Sequence, residues 1–113
     1  MPFINVKTNC SIEKESEERI KTKLGMAITA IPGKSETWLM VGMESDYTLY
    51  YRGTSEPAAM VEVSIYGNAS SNALGTLTSH ITGILTDELG ISSDRVYVSY
   101  MSTDDWGWNG SNF

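Results

Sequence analysis

The order strand, helix, strand is written twice in this chain, and that repeat narrows the folds open to it more than any other feature. In the first half, Phe3-Ile4-Asn5-Val6-Lys7 alternates with Ile4 and Val6 on one face, as a half-buried strand does. Ser11 is placed to cap a helix, and Glu13 and Glu15 put carboxylates in its first turn, where the helix dipole favours them. Ile20, Leu24, Ala27, Ile28 and Ile31 then keep helical spacing on one stripe, and Pro32-Gly33 stops it. The run from Trp38 to Met43 reads as a second strand. Thr48-Leu49-Tyr50-Tyr51 reads as its extension or as a short strand of its own. In the second half, Ala59 to Ile65 is a strand, and Ser70 caps a helix whose stripe is Leu74, Leu77, Ile81, Ile84 and Leu85. Gly90 stands where a helix end needs positive φ, and Arg95 to Tyr100 alternates as a further strand. The segment Gly33 to Trp38 matches Gly90 to Arg95 in position and character.

Two βαβ units side by side, each with a right-handed crossover, make an α/β two-layer sandwich of ferredoxin-like type. It has a four-stranded mixed sheet, short edge strands and two antiparallel helices on one face. At 113 residues the chain makes one domain, spanning 2–113. The face away from the helices also carries bulky side chains. Tyr97, Ser99 and Met101 point opposite to Val96, Val98 and Tyr100, and Trp38 and Met40 point opposite to Leu39, Val41 and Met43. A broad apolar patch of that kind calls for cover by other subunits, so a ring-shaped oligomer is expected.

The charge balance excludes several roles. Eight Lys and Arg stand against fourteen Asp and Glu, a net charge of −6. Nucleic acid and anionic membranes want the opposite sign, so neither is an expected partner. No leader and no bilayer-spanning apolar run is present, so cytoplasmic synthesis is expected, with export by a non-classical route as the alternative. The single cysteine, Cys10, leaves no internal disulfide and no CxxC pair, and reads as a packed small hydrophobe. His80 lies near the second helix's stripe with no Cys, Asp or Glu at metal-ligand spacing; it reads as structural, and no metal is expected. Asn68-Ala69-Ser70 fits the glycosylation sequon, a coincidence in a chain without a leader.

The start of the chain offers a candidate base, beside the plainer reading that Met1-Pro2 merely opens a strand. A small residue after Met1 allows the initiator to be trimmed, leaving Pro2 as a free secondary amine. An exposed α-amino group titrates near ~8, and burial beside a cation lowers that value. The result is an uncharged base at neutral pH.

Several segments, in order, carry a family resemblance. They are Met1-Pro2 with Phe3-Ile4-Asn5-Val6 and Thr8-Asn9, then Gly33-Lys34, Ser55-Glu56-Pro57 and Gly67. Ile91 to Val98 and Trp106 to Phe113 complete the set. With these pieces the chain resembles, nearly end to end, the family of macrophage migration inhibitory factor and D-dopachrome tautomerase in the tautomerase superfamily. The resemblance implies a homotrimer with a site at each subunit interface. It also implies cofactor-independent keto–enol tautomerisation of phenylpyruvate-like or dopachrome-like compounds. On this resemblance Pro2 is the base, Lys34 pairs with the substrate carboxylate, and Tyr97 comes from the neighbouring subunit. Ile65, the backbone of Tyr66, and Ser99 line the substrate, while Phe3, Trp38, Trp106, Trp108 and Phe113 form aromatic walls.

Four departures from the family pattern matter, the first being Tyr66, where the family has an aliphatic residue whose backbone contacts the carboxylate. Ser99 replaces an asparagine and reaches less far, Trp106 replaces a smaller aliphatic residue, and Ala58-Ala59-Met60-Val61 lacks the Cys-x-x-Cys of the cytokine-type members. Two functions therefore compete. One is a tautomerase of small aromatic α-keto acids. The other is a non-enzymatic, cytokine-like protein that engages a receptor through the trimer surface.

Overall fold

A computed structural model describes residues 1–113. The elements in order are β1 (Pro2–Thr8), α1 (Lys14–Ala27), β2 (Met40–Glu44), β3 (Ala59–Tyr66), α2 (Ser71–Leu89) and β4 (Val96–Thr103). A terminal hairpin of β5 (Gly107–Trp108) and β6 (Ser111–Asn112) follows. The main sheet has the order β2-β1-β3-β4. β1 runs parallel to β2 and β3 parallel to β4, as each strand–helix–strand crossover requires. The two units meet where β1 and β3 pair antiparallel, from Pro2 opposite Ile65 to Thr8 opposite Ala59. The expected α/β sandwich of two βαβ units is therefore the fold, and β1, which begins at Pro2, is a central strand.

The core lies between the sheet and the two helices. Ile4 and Val6 of β1 and Val61, Val63 and Ile65 of β3 are buried against Ile20, Leu24 and Ile28 from the first helical segment and Leu77, Ile81 and Leu85 from α2. These are the stripes legible in the sequence. Removing one such side chain, as in Leu77→Ala, costs about 2–5 kcal/mol through lost transfer energy and the cavity left behind. Thr8 is the polar residue in this core. Its hydroxyl donates to the Ala58 carbonyl at 2.7 Å and accepts from the Cys10 amide at 3.1 Å, so burial leaves nothing unpaired.

The caps divide. The Ser70 hydroxyl accepts from the Ala73 amide, and Gly90 ends α2 at φ 69°, both as expected. Ser11 does not cap α1: the helix begins after Glu13 with no side-chain cap, and the Ser11 hydroxyl donates instead to the Asp46 carboxylate. The strand expected from Trp38 starts only at Met40, because Glu36–Trp38 forms a single 3-10 turn. Arg95 likewise ends a 3-10 turn, Ser93–Arg95, rather than starting β4. The likeness between Gly33–Trp38 and Gly90–Arg95 is thus a likeness of two turn-and-enter segments. Thr48 to Tyr51 is not a strand; it is loop, with one isolated bridge between Tyr51 and Thr54.

The open face is apolar at its edges and polar in its middle. Met40 on β2 and Tyr97 and Met101 on β4 are well exposed. Between them Lys7 pairs with Glu62 at 3.0 Å, and the Asn5 amide donates to Glu44 at 2.8 Å. The expected apolar patch on this face is therefore split: the bulky rows sit on the two outer strands, with polar pairs between them.

Candidate active site

Pro2 is buried, and its strand mate Ile65 is buried with it. Beyond the end of these strands lies a cleft of about 380 Å³, lined by Pro2, Phe3, Trp38, Trp106 and Trp108 and also by Met1, Thr37, Leu39, Met40 and Gly107. Gly33, at φ 82°, turns the chain after the first helical segment, in the left-handed region that favours glycine. That turn brings Lys34 back toward the start of β1. The Lys34 ammonium donates to the Tyr66 carbonyl at 2.8 Å, and the Tyr66 amide donates to the Met1 carbonyl at 3.0 Å. The terminal amine, Lys34 and the end of β3 are therefore neighbours. Burial first, and the Lys34 charge second, hold the amino group of Met1 below its ordinary value.

The aromatic wall is built by ring contacts. Trp38 and Trp108 meet edge to face at 5.2 Å, Trp108 and Phe113 stack at 6.3 Å, and Tyr66 lies 5.2 Å from Phe113. The terminal hairpin delivers Trp108 and Phe113. Its turn residues Asn109 and Gly110 both take positive φ, which an Asn-Gly pair tolerates best in a tight hairpin. The Phe113 amide donates to the Trp106 carbonyl at 3.0 Å and closes the end of the chain onto half-buried Trp106. The Asn-Gly signal was available in the sequence and would have placed this hairpin.

Pro2, Lys34, Phe3, Trp38, Ile65, Tyr66, Trp106, Trp108 and Phe113 thus come together at one end of the sheet. Tyr97 and Ser99 do not. Pro2 pairs with Ile65, whereas Tyr97 pairs with Met60 and Ser99 with Glu62. Five residues along β3 separate the Pro2 and Tyr97 levels, roughly 17 Å at about 3.3 Å per residue.

Tyr97 has surroundings of its own. A hollow of about 150 Å³ beside it is lined mainly by Leu49, Tyr50, Tyr51, Ala59, Met60 and Arg95. Arg95 donates to the carbonyls of Pro57 at 2.9 Å, Glu56 at 3.0 Å and Tyr51 at 3.2 Å. Asn9 donates to the carbonyls of Glu56, Leu49 and Ser55 and accepts from the Ala58 amide. Between them these two side chains take up the Leu49 and Tyr51 carbonyls, which a strand at Thr48–Tyr51 would have paired, and hold the loop that follows. Tyr51 and Tyr97 meet edge to face at 5.1 Å, and the Tyr97 hydroxyl donates to that of Tyr51 at 3.5 Å. That bond raises the pKa of Tyr97, the donor, and lowers that of Tyr51. Tyr51 escaped the sequence reading because no local pattern links positions 46 residues apart.

A wider hollow of about 410 Å³ opens between the helices, among Lys23, Met26, His80 and Ile84. It is larger but chemically poorer, since Lys23 is already paired with Glu88 at 2.7 Å. No three His, Cys, Asp or Glu side chains gather anywhere in the chain.

The profile described as macrophage migration inhibitory factor matches residues 1–113. A macrophage migration inhibitory factor from Meriones unguiculatus is 30% identical over 115 residues, covering all of this chain and 99% of that protein. Among solved structures, the crystal structure of Leishmania major MIF2 aligns with a TM-score of 0.93 at 31% identity, over 100% of this chain and 97% of that one. The macrophage migration inhibitory factor homologue from Prochlorococcus marinus aligns with a TM-score of 0.83 at 25% identity, over 98% of each chain.

Proposed function

Because the chain belongs to the macrophage migration inhibitory factor family along its whole length, we propose that it is a cofactor-independent keto–enol tautomerase of aromatic α-keto acids, with Pro2 as general base. The observation that carries this reading is the meeting of Pro2, Trp38 and Trp108 at one cleft, with Lys34 on the neighbouring Tyr66 carbonyl and Phe113 stacked behind Trp108. Removal of Met1 turns Pro2 into a secondary amine. It stands beside the same Lys34 charge and in the same buried strand end that lower the Met1 amine, an environment that favours its uncharged form. Removal also frees the Tyr66 amide from the Met1 carbonyl, leaving a backbone N–H beside the Lys34 ammonium. A substrate carboxylate takes both donors, and the rings hold its aromatic group. Pro2 then moves one proton between carbon and oxygen, which needs a matched base and a fixed substrate.

The site needs a second copy. Tyr97 and Ser99 reach a cleft only if they belong to a neighbouring subunit, and a homotrimer supplies one such neighbour per cleft. The exposed Met40, Tyr97 and Met101 rows on the two outer strands support that assembly. Cytoplasmic residence belongs to the same proposal.

A spectroscopic enol-to-keto assay with phenylpyruvate and its hydroxylated analogue tests the reading, paired with intact mass. Conversion by a chain starting at Pro2 is the expected result. Full activity with Met1 retained would overturn the mechanism. A folded trimer that converts no enol at any pH would leave the receptor-binding reading in its place.

A further inference from the structure

We propose that Tyr51 is a positioning residue for Tyr97, orienting the Tyr97 hydroxyl toward a substrate oxygen in the neighbouring subunit's cleft. The inference rests on the reading above, in which Tyr97 completes a site across an interface.

Three observations carry it. First, Tyr51 is fixed before it touches Tyr97. The Arg52 and Arg95 guanidinium groups lie 5.0 and 5.2 Å from its ring centre, its carbonyl accepts from Arg95, and its backbone bridges Thr54. Second, Arg95 sits two residues before Tyr97 on the same entry to β4. One side chain therefore grips both the loop that carries Tyr51 and the strand that carries Tyr97. Third, ring packing and hydroxyl contact agree: the rings meet edge to face while the hydroxyls lie 3.5 Å apart. At 3.5 Å the hydroxyl contact is longer than an ordinary O–H···O bond, so the ring packing carries most of the pairing.

A phenol has one proton to give. In the free protein Tyr97 gives it to Tyr51. When a substrate oxygen arrives, Tyr97 turns its proton to that oxygen and accepts from the Tyr51 hydroxyl instead. Only two C–O rotations are needed, no proton leaves either ring, and the chain of two donors strengthens the outer bond. Without Tyr51, the Tyr97 hydroxyl has no fixed partner and must be ordered by the substrate alone.

The test is a double-mutant cycle with Tyr51→Phe, which keeps the ring, its edge contact and both guanidinium neighbours. Tyr51→Phe is expected to lower kcat/KM roughly three- to tenfold, the effect of one net hydrogen bond. In a Tyr97→Phe background it is expected to add nothing. Losses that multiply, or a single variant at wild-type rate, would overturn the proposal. The second readout is independent of activity: spectroscopic titration of the phenols. Arg52, Arg95 and Asp94 are the charged groups around the pair. Loss of the Tyr51 acceptor should bring the Tyr97 ionisation down toward the ordinary tyrosine value, and a Tyr97 titration unmoved by Tyr51→Phe would sink the pairing. If the wild-type protein converts no enol, the tautomerase reading fails and the titration decides the pairing alone. If Tyr97→Phe is fully active in a Pro2-dependent enzyme, Tyr97 leaves the site and the inference goes with it.

Discussion

The two ends of the β1–β3 pair are built by opposite means. At the Pro2 end, rings lean on rings: Trp38, Trp108, Phe113 and Tyr66 make a wall with few directed bonds, closed by a two-residue hairpin turn. At the Tyr97 end, Asn9 and Arg95 reach into a loop and bind its carbonyls one by one. Dispersion contacts tolerate small displacements, and directed hydrogen bonds do not. The first end suits an aromatic guest of variable shape, the second a hydroxyl held at a fixed place. On the proposed function, the difference teaches that one chain carries two half-sites, each with the rigidity its task needs, and completes neither alone.

The comparison breaks first at Pro2. Pro2→Gly keeps an amine but loses the secondary one, and the rate should fall steeply, by roughly 10²–10⁴-fold, with circular dichroism unchanged. In the unsubstituted protein, activity should rise with pH as the amine loses its proton. The midpoint should lie below the ordinary amine value of 8.0, because burial and then Lys34 disfavour the charged form. A midpoint at or above that value would contradict the electrostatics of this end.

Lys34→Ala should come next. Losing a charge-assisted contact should raise KM for carboxylate substrates by roughly 10–100-fold and leave kcat less affected. A methyl ester should be far less sensitive, and equal losses for acid and ester would place Lys34 elsewhere in the chemistry.

At the opposite end, Asn9→Ala should act on stability. It strips hydrogen bonds from three carbonyls and one amide and should cost about 1.5 kcal/mol, seen as a lower midpoint in urea. An unchanged midpoint would mean that the loop is held without directed bonds. The smallest effect is the sharpest test. Pro2-defective and Tyr97-defective subunits, mixed in equal amounts and reassembled, should regain roughly a quarter of the sites, because each cleft draws on two chains. No recovery would place both residues in one subunit's site.

Much of the fold was legible because burial writes a period into the sequence. The alternation of Ile4 and Val6, the stripe from Ile20 to Ile31 and the stripe from Leu77 to Leu85 all became core. The residues of the Pro2 end were named from the family resemblance, and the fold brings them together at one end of the sheet. What failed did so where a side chain from far away competes for the backbone. Thr48–Tyr51 has strand composition, yet Asn9 and Arg95 claim its surroundings. Ser11 has a capping side chain, yet Asp46 takes its hydroxyl. Tyr51 belongs to the same class, since its role comes from contact with β4 and not from its neighbours in sequence.

The central position of β1 also sets a clock. The residue to be removed is bonded through its carbonyl to the Tyr66 amide, so the peptide bond before Pro2 becomes part of the sheet once β3 exists. A ribosome takes roughly 3 to 13 s to reach Tyr66 at ordinary elongation rates. On the proposed mechanism, that interval is open to the aminopeptidase, since the Met1 carbonyl has no Tyr66 partner before it ends. A chain that folds before it is trimmed ties its methionine to β3, and its proline nitrogen stays acylated until that bond opens.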